Sequence, residues 1–263
     1  MRYDIKPLRF YRITSGKVNF NRMGTDFENS FKIPVLYRDE YIIVVEKPYG
    51  LAVHKNDFMP HDAPYLTKLV GDITGKWIYN VHRLDAKTSG VIVLAFSSEM
   101  ARELTLQFER REVVKKYVAL VQGNPGEGTF SEKVLVKKKS NFKKPATTHF
   151  TVIKSIETDI SYKEKTNIVL SLTEITPETG RWHQIRQHFA KNRYDIVGDN
   201  HHGDFTLNKI IVEKTGINRL FLHAFSLEFT HPESRQRLKF ISHVPETFEQ
   251  VMMEFEQKNS ETG

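Results

Sequence analysis

The alternation of apolar and polar positions changes period several times along the chain, and each change marks an element. Val35-Leu36-Tyr37-Arg38, a polar Asp39-Glu40, then Tyr41-Ile42-Ile43-Val44-Val45-Glu46-Lys47 read as a tight hairpin leading into a buried strand. Pro48-Tyr49-Gly50 ends it, because proline cannot continue a ladder and glycine permits a sharp turn. Leu66, Leu69, Val70 and Ile73 recur at i, i+3, i+4 and i+7, which predicts a helix closed by Gly75. A β-rich run follows at 91–96. Ser97 and Glu99 then supply an N-cap and a first-turn acid for a helix turning Ala101, Leu104 and Phe108 inward. Strands are expected at 117–121, 133–136, 147–153 and 168–175, then a helix at 182–191 and a half-buried strand at 219–229. Phe248, Val251, Met252 and Phe255 share one face of a final helix, and from Lys258 the chain turns polar and is expected to fray. Strands with interspersed helices, without a strict βαβ rhythm, predict an α+β domain on a mixed, mainly antiparallel sheet with flanking helices.

By texture the 263 residues divide into an extension at 1–33, a single domain at 34–257 and a polar tail at 258–263. Lys and Arg number 39 against 32 Asp and Glu, a formal charge of +7. Much of that excess sits in residues 1–33, where Arg2, Lys6, Arg9, Arg12, Lys17, Arg22 and Lys32 face only Asp4, Asp26 and Glu28. The absence of cysteine excludes a disulfide framework, a thiolate nucleophile and Cys-ligated metal centres. No apolar run approaches the roughly eighteen residues of a membrane span, and the first residues lack a signal-peptide core. The expectation is a basic cytoplasmic protein.

Two stretches carry candidate chemistry. His82-Arg83-Leu84-Asp85-Ala86-Lys87-Thr88-Ser89-Gly90 is a polar loop ahead of an apolar run. Arg83 and Lys87 flank Asp85 and favour its ionised form, while Thr88, Ser89 and Gly90 can hold the loop by local hydrogen bonds. Texture alone fits a plain charged hairpin loop at least as well. In the second stretch, a helix from Trp182 sets Trp182, Arg186 and Phe189 roughly along one face, with His183 and Gln187 beside them. Arg186 can then reach a carboxylate across a cleft in bidentate geometry; a basic amphipathic helix with a solvated face is the plainer reading. His183 and His188 have no obvious third ligand, so no metal is expected there, nor at His201-His202.

Together these stretches resemble the pseudouridine synthases of the RluA family. The matching elements are H-R-L-D-x-x-T-S-G at His82 to Gly90, K-x-Y at Lys115-Lys116-Tyr117, G-R-x-H-Q-[IL]-R at Gly180 to Arg186, and R-L-x-L-H-A at Arg219 to Ala224. The resemblance runs from about Ile33 to Gln257. Within the family, the hairpin start, Lys47-Pro48-Tyr49-Gly50-Leu51-Ala52-Val53-His54 and Ile196-Val197-Gly198-Asp199-Asn200-His201-His202-Gly203-Asp204 point toward members that modify tRNA. Residues 1–33 have no counterpart, and the lysine-rich segment from Lys137 to Lys144 lies where relatives vary.

The resemblance implies the pseudouridine synthase fold with a central active-site cleft, and an isomerase turning uridine into pseudouridine in RNA. It implies tRNA as substrate, at uridine 65 of the T stem, with large-subunit ribosomal RNA second. Asp85 is implied as the carboxylate acting as nucleophile or charge stabiliser, and Arg186 as the ion-pair partner that orients it. Tyr117 is implied as the ring packing on the base, with a second role in removing the C5 proton that requires a nearby cation. Leu84 and Ile185 are expected to form apolar walls, and Arg83 to fill the space left by an extruded base. His82, His183 and Lys47 are expected as further substrate contacts. Isomerisation needs neither redox change nor phosphate activation, so no cofactor or metal is expected; no membrane and no obligate protein partner are implied. Two rivals stand beside this reading: a non-catalytic RNA-binding protein on the same scaffold, and an N-glycosidase releasing free uracil.

Overall fold

A computed structural model describes residues 32–55, 59–137 and 141–261. The basic extension lies outside the described residues except for its last two positions, as do Lys138, Lys139 and Ser140 of the lysine-rich segment. In chain order the elements are β1 (Val35–Arg38), β2 (Ile42–Lys47), α1 (Leu66–Thr74), β3 (Tyr79–Asn80), β4 (Ser89–Ala95), α2 (Ser98–Glu109), β5 (Val114–Gln122), β6 (Glu127–Phe130), β7 (Val134–Leu135), β8 (Lys143–Lys144), β9 (Thr148–Glu157), β10 (Val169–Pro177), α3 (Gln184–Lys191), α4 (Phe205–Thr215), β11 (Leu222–Thr230), β12 (Arg237–Ile241) and α5 (Glu246–Glu261). The main sheet runs β1-β2-β4-β11-β5-β10-β9-β6, with β3 beside β4 and β12 beside β11, while β7 and β8 pair separately. The α+β expectation holds: these pairings are antiparallel except where β4 and β11 run side by side.

That parallel contact is the seam between two halves of the sheet. It sets Ser89 opposite His223 and Gly90 opposite Ala224. Gly90 makes it possible: its φ is +115°, and a Cβ there would lie 2.2 Å from the Ala224 carbonyl oxygen. The loop carrying Asp85 is thereby delivered directly to the seam.

Helices cover both faces. Val91, Val93 and Ala95 of β4 share a core with Met100 and Leu104 of α2, while Ile92 and Leu94 pack with Leu66 and Val70 of α1. A strand buried on both sides has no use for polar alternation, which is why this run is continuously apolar. On the other half, Phe248, Val251 and Phe255 of α5 cover β5 and β10, and Ile185 and Phe189 of α3 pack on Ala119, Val121 and Ile175. Each such fully buried side chain contributes roughly 1.5–3 kcal/mol.

Several boundaries differ from the sequence expectation. Ser97 caps α2 as expected, accepting from the Met100 N–H. Ile73 stays exposed although it shares the α1 spacing. Helix α3 begins at Gln184 because His183 stands before it with φ +49°, so Trp182 lies outside the helix face assigned to it. The last helix does not fray at Lys258; its backbone continues to Glu261, since polar residues without Gly or Pro propagate a helix readily. Helix α4 was not expected, yet Asp204 caps it by accepting from the Thr206 and Leu207 N–H groups and Gly216 closes it with φ +70°. Among the described residues no helix is long and apolar enough to cross a membrane.

Candidate active site

Three segments converge beside the seam: the loop before β4, the strand β5 and the start of α3. Arg83, Leu84, Asp85, Thr88, Tyr117, Val136, Lys137, Ile185 and Arg186 are among the residues lining a cleft of about 330 Å³, room for a nucleoside-sized ligand.

Arg186 is buried between two carboxylates. Its Nε and Nη2 donate to Oδ2 and Oδ1 of Asp199, both at 2.7 Å, and its Nη1 donates to Oδ2 of Asp85 at 3.0 Å. Burial works against the guanidinium charge, but Asp199 and then Asp85 outweigh it and raise the arginine's pKa. Burial likewise pushes the Asp199 carboxyl up, yet Arg186 and the His201 and His202 N–H groups bring it down to about 2. Asp199 lies in the 196–204 stretch, whose residue pattern alone gives it no role. Its usable signal was Gly198, whose φ of +77° and close approach to the Arg219 carbonyl admit only glycine and aim the next residue.

The Asp85 loop is fastened differently. Lys47 is 1% exposed, and its Nζ donates to the carbonyl oxygens of Pro48, Leu51 and Ala86 at 2.8, 2.8 and 2.9 Å. The Gly50 N–H donates to the same Ala86 oxygen, and the Thr88 N–H to the Asp85 carbonyl. Burial pulls the Lys47 pKa down to about 7 against the opposing charge of Asp85. His82 stacks on Phe108 with ring centroids 4.5 Å apart, and its Nε2 accepts from the Val93 N–H. Burial takes its pKa to about 3, so the ring is neutral. Of these two residues expected to touch substrate, Lys47 is turned inward with its donors spent on shaping the loop, and the half-buried His82 spends Nε2 on the Val93 N–H.

The remaining residues meet around the cleft. Leu84 and Ile185 are buried in its wall, and Arg83 is exposed at its rim. Tyr117 is half-buried. Burial and then the charge of Asp85 raise its pKa, which keeps the phenol protonated; the charge acting on it has the wrong sign to make it a base. Nε2 of His183 accepts from Nη1 of Arg186 at 2.8 Å and lies 3.4 Å from Oδ2 of Asp85. Burial lowers the His183 pKa to about 3. The structure also supplies neighbours that spacing could not reveal. The Trp182 ring stacks on His183 at 4.0 Å, and His201 and His202 stand edge-on to both.

Known proteins share the sequence pattern and the fold of this chain. Residues 41–191 match the protein family described as RNA pseudouridylate synthase. The chain is 33% identical over 233 residues to tRNA pseudouridine synthase C of Yersinia pestis, covering 85% of this chain and 91% of the relative. It is 37% identical over 216 residues to the protein of that name from Pasteurella multocida, covering 78% and 89%. The solved structure of human RNA pseudouridylate synthase domain containing 4 superposes with a TM-score of 0.64 at 26% identity, covering 84% of this chain and 92% of that one.

Proposed function

The chain belongs to the RNA pseudouridylate synthase family, and from that premise we propose that it isomerises a uridine of tRNA, with Asp85 acting on the sugar–base linkage. The observation that carries this reading is the 3.0 Å contact between Arg186 and Asp85 inside the cleft. The tRNA substrate is supported by the relatives whose names carry it; uridine 65 of the T stem is the target the motif likeness favours, and the cytoplasm the proposed location.

The reaction breaks N1–C1′, turns the uracil and joins C5 to C1′, and the proton that leaves C5 balances the one N1 takes up. Asp85 serves as nucleophile or as stabiliser of positive charge at C1′. Arg186 donates to its Oδ2, which orients the carboxylate. Tyr117 packs on the base as a neutral phenol. The walls at Leu84 and Ile185 keep water from the separated uracil, which favours isomerisation over hydrolysis. A stacked uridine must first be extruded, at a cost of a few kcal/mol; Arg83 fills the gap, and Lys137, Lys143 and Lys144 hold phosphates.

The test is tritium release from uridine labelled at C5, comparing tRNA transcripts with ribosomal RNA fragments. Release is expected from tRNA, without free uracil, and should fall on the order of 10³-fold or more in Asp85→Asn while tRNA binding persists. Release from ribosomal RNA alone would refute the substrate, free uracil would indicate a glycosidase, and full turnover in the variant would remove Asp85 from the chemistry.

A further inference from the structure

His183 at the entry to α3 and His201 and His202 in the loop before α4 place one ligand nitrogen each within 4.8 Å of one another. Nδ1 of His183 and Nε2 of His202 are 3.0 Å apart. Two imidazole nitrogens on one tetrahedral zinc ion, each about 2.0–2.1 Å from the metal, stand about 3.3 Å apart. The first two ligands therefore already have the required spacing. His201 is exposed, so its ring can rotate to bring in the third.

Charges of both signs surround the three rings, Asp199 and Asp85 on one side and Arg186 and Lys87 on the other. Oδ1 of Asp199 accepts from the His201 and His202 backbone N–H groups at 2.8 and 3.1 Å, which fixes the loop that carries both rings. Asp199 and Asp85 both bond Arg186, which leaves its guanidinium charge matched by two carboxylates. The Trp182 face limits the freedom of the His183 ring.

We propose that His183, His201 and His202 form a site for one divalent transition metal ion of the zinc type, and that filling it switches off the Asp85–Arg186 pair. Three imidazoles with a fourth position open to water suit zinc, cobalt or copper. The coupling follows from the tautomer. Arginine only donates, so Nε2 of His183 accepts from Arg186 and the ring proton resides on Nδ1, donated to His202. A metal on Nδ1 moves that one proton within the ring to Nε2. Nε2–H then opposes Nη1–H of Arg186 and lies within reach of Oδ2 of Asp85. Arg186 loses an acceptor, Asp85 gains a donor, and the pair rearranges.

Metal binding stands independently of the proposed reaction; only the inhibition rests on it. The full-length protein, stripped with a chelator and free of RNA, is titrated with Co²⁺ and read by its visible d–d absorption. One ion per chain is expected, displaced by Zn²⁺, with affinity at least about tenfold weaker in both His201→Ala and His202→Ala. Equal binding by the wild type and both variants would overturn the site. In the second arm Zn²⁺ slows tritium release from tRNA by the wild type but not by His201→Ala, the two having equal turnover under chelator. Equal inhibition of both, or binding without inhibition, would overturn the coupling. Because the cobalt titration needs no turnover, an inactive RNA assay leaves the site fully tested.

Discussion

Asp85 and Arg186 meet at 3.0 Å, yet the segments that carry them are held by opposite means. The Asp85 loop is held through the Ala86 carbonyl, which the buried ammonium of Lys47 ties to the carbonyls of Pro48 and Leu51, and by the neutral imidazole of His82. The Arg186 helix is held by charge, through the bidentate bond to Asp199. The difference has a purpose in electrostatics. A loop fixed through carbonyls places its carboxylate without a second acid competing for Arg186 from the same segment. A guanidinium already locked by one carboxylate can aim its remaining N–H at another without searching rotamers, because two of its donors are fixed in a rigid fork.

The ionic side is predicted to be the more sensitive. Asp199→Asn leaves Arg186 buried with one carboxylate in place of two, and urea denaturation should show a loss of about 3 kcal/mol. Turnover should fall more than KM rises, since the residue positions Arg186 rather than binding RNA. A variant with unchanged stability and turnover would show that Asp85 alone suffices to hold the arginine.

On the carbonyl side, Lys47→Met removes the donor from three carbonyls and should cost about 2 kcal/mol. Its turnover should drop while affinity for tRNA stays near the wild-type value, measurable by filter binding. Lost affinity with intact stability would instead return Lys47 to the substrate-contacting role the motif suggested.

The comparison also has a slope with pH. Burial holds both His82 and His223 at about 3, against an ordinary value of 6.5. The unfolded chain thus binds more protons than the folded one between those values. The stability from keeping these rings neutral is complete above pH 6.5 and is lost as pH falls toward 3, by up to about 1.4 kcal/mol per pH unit for each. His183 at about 3 and His202 at about 4 add to the same slope. His82→Gln should therefore flatten it by about a quarter, as followed by denaturant midpoints between pH 6.5 and 4.5. An unchanged slope would show that the fold does not depend on the neutral His82 ring.

Much of the site was legible from residue identity alone. Asp85, Arg186, Tyr117, Leu84, Ile185 and Arg83 come together around the cleft because the motifs that contain them are short, and the local backbone carries each into place. Lys47 and His82 belong to equally recognisable stretches, yet Lys47 turns inward and His82 spends Nε2 on the Val93 N–H. Whether a polar side chain faces solvent or the interior depends on which carbonyls and N–H groups lie across the fold, and Ala86 and Val93 are not implied by the sequence around Lys47 or His82. Tyr117 shows the same limit, since its environment is set by burial and by Asp85 from another segment.

The sequence by itself determined the class of fold, the first hairpin, the capped helices α1 and α2 and the catalytic family, because these rest on periodicity, caps and short motifs within a few residues. Only the tertiary structure decided that Asp199 secures Arg186, that Lys47 secures the Asp85 loop, and that His201 and His202 join His183. Those are contacts between distant segments, and their free energy depends on distance and burial, neither of which a local pattern of residues contains.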